Sequence, residues 1–199
     1  ATHAALLEAL RSGPVAVDYQ GHGAEDLWAG RILSDSDVES LGNAGKTTLL
    51  VASTCLNAYF LDIGRESLGA ALLRVPAGGA WGVWASSGMT LPTDHPLLSS
   101  TLLSSVLDGG KTLGEATLAA KRVVTDPEVR ATFHLLGDPS ARAVESKPAL
   151  TVVAPSSSGT LGCSASGAGN PAMVFLALVA FWLSAVRRPA LATRRSERS

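Results

Sequence analysis

Val15-Ala16-Val17-Asp18-Tyr19-Gln20-Gly21-His22-Gly23 and Thr48-Leu49-Leu50-Val51-Ala52-Ser53-Thr54-Cys55 are the two stretches on which the fold turns. Each is a short apolar, β-branched run that stops at a residue able to do chemistry. Runs of this kind are expected where a strand is buried on both faces of a parallel sheet. Val15–Tyr19 therefore reads as one strand and Thr48–Ser53 as the next, with His22 just past the first and Cys55 just past the second. In open α/β sheets, ligands and reacting groups gather beyond the carboxyl ends of the strands. His22 and Cys55 are thus expected at one rim.

The flanking sequence supports alternation of strands and helices. His3–Arg11 reads as a helix with Leu6, Leu7 and Leu10 on one face, stopped by Ser12-Gly13-Pro14. Ser34 offers an N-cap to a short helix reaching about Leu41. Glu66–Arg74 reads as a helix and Ala80–Ala85 as a third strand. Helices fit Pro96–Leu107, Leu113–Val124 and Pro127–His134; Leu135–Ser140 reads as a turn and Leu150–Val153 as a last strand. The pattern predicts an α/β fold with a mainly parallel sheet.

A thiol becomes a nucleophile as thiolate, and a neighbouring imidazole can supply that activation. Histidine suits the task because its ordinary pKa, about 6.5, lies near working pH. The glycines beside His22 let the backbone turn sharply and approach a substrate closely. The N–H groups of Gly23 and Cys55 could then point at the carbonyl oxygen under attack, a contribution of roughly 3–4 kcal/mol in the transition state. Each residue also has a plain structural reading. A cysteine after an apolar strand is commonly a small buried hydrophobe, and Gly-His-Gly is commonly a turn. Trp84, Ser86 and Ser87 follow the third strand and could line a pocket for the side chain before the cut bond; core packing of Trp84 is equally open.

The chain of 199 residues carries a formal net charge of -1, which gives no electrostatic case for nucleic-acid binding. Its composition breaks sharply. From Pro148 to Val186 there is no Asp, Glu, Lys or Arg, and a basic end follows at Arg187, Arg188, Arg194, Arg195 and Arg198. Three regions are expected: a domain over 1–153, a Gly/Ser-rich linker over 154–170, and a membrane-spanning helix with a basic cytoplasmic end over 171–199. Pro171–Val186 is slightly short of the about 20 apolar residues of a full span. The two cysteines, Cys55 and Cys163, specify no disulfide framework. The chain opens at Ala1 on an amphipathic stretch, read as a piece of a longer precursor.

Two segments resemble a known family. Val17-Asp18-Tyr19-Gln20-Gly21-His22-Gly23-Ala24-Glu25-Asp26-Leu27-Trp28 is similar to the histidine segment of the gingipain-type cysteine peptidases, and Ala52-Ser53-Thr54-Cys55-Leu56-Asn57-Ala58-Tyr59-Phe60 to their nucleophile segment. The resemblance runs from about Ala1 to Val153. It implies a caspase-like three-layer α/β sandwich whose N-terminal part is absent, and peptide-bond hydrolysis through a thioester. Cys55 would be the nucleophile, His22 the general base and acid, and the Gly23 and Cys55 amides the oxyanion hole. The family's acidic partner for the histidine lies upstream of the histidine strand, where this sequence offers no match. Protein or peptide substrates follow from the same resemblance. The tail resembles the myxobacterial C-terminal sorting tag, MYXO-CTERM, in its Gly162-Cys163, its apolar span and its terminal arginines. That likeness implies processing by a sorting peptidase near Cys163, membrane anchoring and display at the cell surface. A catalytically inactive surface module, or a secretion component that processes C-terminal signals, would keep the same fold.

Other signals fail on spacing. Gly45-Lys46-Thr47 lacks the glycine that a phosphate loop requires at position 40, which is Ser40, and it precedes a strand. No His-Glu-x-x-His or paired Cys-x-x-Cys occurs, so no zinc site is expected. The resembled family can bind calcium, but no Asp/Asn-rich loop specifies a site. His95 and His134 read as surface or helix-end residues.

Overall fold

Gly13 turns the chain from its first helix into its first strand. Its φ of +73° is in the left-handed region, and an added Cβ would lie 2.4 Å from the Cβ of Lys46, so only glycine fits. The computed structural model describes residues 2–108 and 110–143, and the backbone of residues 150–153. These belong to the first of two units, Ala1–Cys163. The linker over 154–170 and the membrane helix and basic end over 171–199 lie outside the described residues. Among the described residues, no helix is long and apolar enough to cross a membrane.

Helix α1 spans Thr2–Ser12 and buries Leu6, Leu7 and Leu10. Strand β1 is Ala16–Gln20. Helix α2, Asp35–Glu39, opens on Ser34, whose N–H donates to Asp37 Oδ2 at 2.9 Å. Strand β2 is Thr48–Ser53, buried along its whole length. Helix α3, Leu68–Arg74, is capped by Ser67, whose hydroxyl accepts from the Ala70 N–H. Strand β3 is Ala80–Ser86. Helices α4, His95–Leu107, and α5, Leu113–Val123, follow; Thr112 and Glu115 cap the latter reciprocally.

One stretch departs from the sequence reading. Helix α6 stops at Thr132, covering Pro127–Thr132, and Phe133–Gly137 forms strand β4 where helix end and turn were expected. β4 pairs antiparallel with β3, from Ser86↔Phe133 to Gly82↔Gly137. The strands run in the order β4-β3-β2-β1, parallel except for β4, and a further strand β5, Leu150–Val153, lies parallel to β1.

Strand alternation divides the core. Val17, Tyr19, Leu50, Ala52, Val83 and Ala85 pack with α1, α2 and α3. Ala16, Leu49, Val51 and Trp84 point the other way, among the leucines of α4 and α5. Helices thus cover both faces of the sheet, the layering a parallel sheet requires.

The amino ends of β2 and β3 are bracketed by one side chain. Asn43 is 2% exposed; its Oδ1 accepts from the Gly79 N–H at 2.6 Å and its Nδ2 donates to the Gly79 carbonyl at 3.0 Å. Gly79 has φ +84°, and an added Cβ would meet the Leu72 carbonyl oxygen at 2.0 Å. Replacing Asn43 with alanine takes away the acceptor of the buried Gly79 N–H. The expected loss is about 2 kcal/mol of stability, measured by denaturant unfolding.

Candidate active site

The site is set by strand register. β1 and β2 pair in parallel from Ala16↔Leu49 to Gln20↔Ser53, and the Gly21 N–H extends the ladder to the Ser53 carbonyl at 3.3 Å. His22 and Cys55 each stand two residues beyond the Gln20↔Ser53 pair, so the two segments leave the sheet side by side. Gly23 then crosses directly over Thr54: a Cβ there would come within 2.4 Å of Thr54 Oγ1. The absent side chain is what lets the histidine loop lie against the residue before Cys55.

Buried contacts lock this arrangement. The Trp28 ring stacks on Tyr19, centroids 4.0 Å apart and planes within 7°. Trp28 Nε1 donates to Asn57 Oδ1 at 2.7 Å, and Asn57 Nδ2 donates to the Ala24 carbonyl at 2.6 Å. One asparagine beyond the cysteine therefore holds both sides of the histidine loop. The His22 carbonyl accepts from the Tyr19 hydroxyl at 2.9 Å and from the Ala29 N–H at 2.8 Å. Leu56, immediately after Cys55, has φ +63°, a costly conformation for a branched residue that the surroundings enforce.

The two candidate side chains sit at different depths. His22 is exposed, whereas Cys55 is fully buried, its Sγ 3.8 Å from the Thr90 carbonyl oxygen. Cys55 is disulfide-bonded. Reduction is thus a precondition for any thiolate chemistry there. Among the described residues no carboxylate pairs with His22: Glu25 faces Arg65 at 3.8 Å, and Asp18 points to the α4 side of the sheet. Cys163, the expected processing residue, lies outside the described residues.

Of the expected pocket residues, Trp84 is 1% exposed and packs near Phe133 and beneath Lys121, whose Nζ lies 5.7 Å from its ring centroid. Trp84 is thus a core residue on the α4 side, the reading that the sequence left open beside the pocket. Ser86 is fully buried, its hydroxyl donating to the Gly88 carbonyl at 3.1 Å. Ser87 is half-buried at the rim, within 2.9 Å of His134 Nε2. Around the rim, Phe60, Leu61, Ile63, Met89 and Leu91 are exposed. Among the described residues no cluster of three or more His, Cys, Asp or Glu could hold a metal ion.

Sequence reasoning missed His95. It is 4% exposed, with Nε2 2.9 Å from Thr90 Oγ1 and its ring edge-on to Phe133 at 5.2 Å. Burial pushes its pKa below the ordinary imidazole value, opposed in part by a hydrogen bond to the Ser53 backbone and by the Asp94 and Asp126 carboxylates. The only local hint of depth was the apolar Pro96-Leu97-Leu98 that follows it.

The α4 side of the sheet also buries polar groups without hydrogen-bond partners among the described residues: Asp18 Oδ1, Ser53 Oγ and Trp84 Nε1. Asp18 Oδ2 accepts from Gln20 Nε2 at 3.0 Å, which also donates to Ser99 Oγ at 3.1 Å. Desolvation nonetheless raises the Asp18 carboxyl above its ordinary value. A raised folded value favours the fold fully below the unfolded pKa, and that contribution is lost as pH rises through the raised value. Asp18→Asn is therefore expected to raise the melting temperature at pH 7 and to leave it nearly unchanged at pH 3. Gly23→Ala is expected to cost about 1–3 kcal/mol, because the added methyl overlaps the buried, β-branched Thr54; denaturant unfolding reads this directly.

A family description, Peptidase family C25, matches residues 1–144. Among solved structures, the chain is similar to the Arg-specific cysteine proteinase gingipain R (RGPB), at 21% identity and a TM-score of 0.63, covering 70% of this chain and 36% of that one. It is similar to the complex of Porphyromonas gingivalis RgpB pro- and mature domains, at 20% identity and TM-score 0.64, covering 71% and 37%. A third structure, described as that of a protease, gives 21% identity and TM-score 0.57, covering 68% and 37%. The chain spans little more than a third of the length of these structures, and at such identities the likeness is one of fold: the caspase-like α/β arrangement. No curated protein gives a significant match. With residues 1–144 of its 199 inside the family match, the chain belongs to peptidase family C25.

Proposed function

We propose that this chain carries the nucleophile half of a cysteine endopeptidase, with Cys55 and His22 as its catalytic pair. The observation that carries the reading is the shared rim: both residues stand two positions beyond the same register pair of adjacent parallel strands. Membership of family C25 supports a cysteine peptidase acting on protein or peptide substrates.

In the proposed reaction, the reduced Cys55 thiol passes its proton to His22 and the thiolate attacks the substrate carbonyl carbon. The oxyanion so formed is received by the Gly23 and Cys55 N–H groups. Collapse of the intermediate breaks the C–N bond, and His22 returns the proton to the leaving amine. His22 then draws a proton from water, whose oxygen attacks the thioester; the acid product leaves and Cys55 regains its proton. Ser87 at the rim would border the space for the side chain before the cut bond, with Trp84 and Ser86 buried below as core. Display at the cell surface, through processing at Cys163 and a membrane segment within 171–199, is the accompanying proposal for location.

A second reading, an inactive surface module, draws on the full burial of Cys55 and its disulfide. One experiment separates them. The full-length protein, reduced with dithiothreitol, is assayed on a mixed peptide library. The expected result is cleavage that drops by at least about a thousandfold in both Cys55→Ala and His22→Ala. Cleavage unchanged in those variants, or absent from the reduced wild type, removes the peptidase reading.

A further inference from the structure

Cys55 is approached from the α4 side by an imidazole that the catalytic pair does not use. His95, the first residue of α4, contacts Thr90 and Phe133. Its Nε2 lies 2.9 Å from the Thr90 hydroxyl, and Phe133 packs against it edge-on at 5.2 Å. The polar contact leads to the nucleophile, because the Thr90 carbonyl oxygen lies 3.8 Å from Sγ. Residues 87–90 are joined to the nucleophile turn a second time, where the Leu56 N–H donates to the Gly88 carbonyl at 3.2 Å.

We propose that His95 is a positioning residue for Cys55: it holds the loop whose Thr90 carbonyl lies against the sulfur. The proposal rests on the reading of Cys55 as nucleophile, and gives that nucleophile a second, non-catalytic histidine. In the reduced protein the Cys55 thiol donates to the Thr90 carbonyl, which fixes the sulfur's rotamer and helps retain its proton. In the proposal, neutral His95 accepts the Thr90 hydroxyl's hydrogen bond at Nε2. The charged groups facing it are Asp94, on its N-terminal side, and Asp126, before α6; the remaining walls are Thr90, Ser53 and Phe133. His22 stays outside this cluster, exposed on its own loop.

The test uses full-length protein under dithiothreitol, with iodoacetamide alkylation of Cys55 followed by mass spectrometry across pH, beside peptide hydrolysis. His95→Phe keeps a ring against Phe133 and removes the hydrogen bond to Thr90. Thr90→Val removes the hydroxyl alone and leaves the imidazole in place. His95→Gln restores a donor and an acceptor. In His95→Phe and Thr90→Val the alkylation midpoint is expected to fall by about half a pH unit or more, as the thiol loses its acceptor. In the same variants kcat is expected to drop about tenfold to a hundredfold with KM nearly unchanged, because the sulfur is misplaced and the substrate site is not. His95→Gln is expected to recover most of both. Wild-type alkylation midpoints in Thr90→Val and in folded His95→Phe overturn the proposal. Should His95→Phe fail to fold, Thr90→Val alone decides. Should the reduced wild type cleave no peptide, the peptidase reading fails by itself, and the alkylation midpoints still decide whether His95 governs Cys55.

Discussion

In-register parallel pairing of β1 with β2 is the constraint from which the rest of the site follows. Hydrogen bonds between parallel strands fix the level at which each strand leaves the sheet. Because Gln20 lies opposite Ser53, the residues two positions on are delivered to the same rim at the same height. A slip of one residue would turn Val17 and Tyr19 away from the α1–α3 face, and would set Asp18 and Gln20 against leucines. Hydrophobic packing on both faces therefore enforces the chemical geometry at the edge. Trp28 and Asn57 add what the sheet alone lacks, a lateral tie between loops that have already left it.

Much of this was written plainly in the chain. β2 was legible to the residue, since Thr48–Ser53 is a compact apolar run with glycines before it and polar residues after. Ser34 and the leucine spacing of α1 marked their helices by local rules that tertiary contacts did not overrule. β4 was not legible. Phe133-His134-Leu135-Leu136-Gly137 has no alternation, because an antiparallel edge strand beside a covered sheet is half-buried along most of its length. The Asp126-Pro127 start signal then seemed to carry a helix through it. His95 was hidden for a different reason. What surrounds it is Thr90 and Phe133, the latter from strand β4, and no local pattern encodes that contact.

The site carries a conflict between stability and polarity. Asp18 and Ser53 lie on strands that pack against leucines, yet they bring polar atoms without partners among the described residues beneath the rim. Apolar residues of similar size would pack more favourably there. These polar atoms gather toward the carboxyl end of the sheet, the end at which open α/β folds generally bind ligands. The left-handed Leu56 belongs with them: a strained turn that persists because the Gly88 carbonyl and the surrounding core hold it in place.

At the opposite end of the same strands, the Asn43 bracket on Gly79 plays a contrasting part. It staples the roots of β2 and β3 far from any reacting group, so the foundation is anchored independently of the rim. Mutational drift in the rim loops can then retune pocket shape and chemistry while the footing stays put, which is how one scaffold comes to serve many specificities.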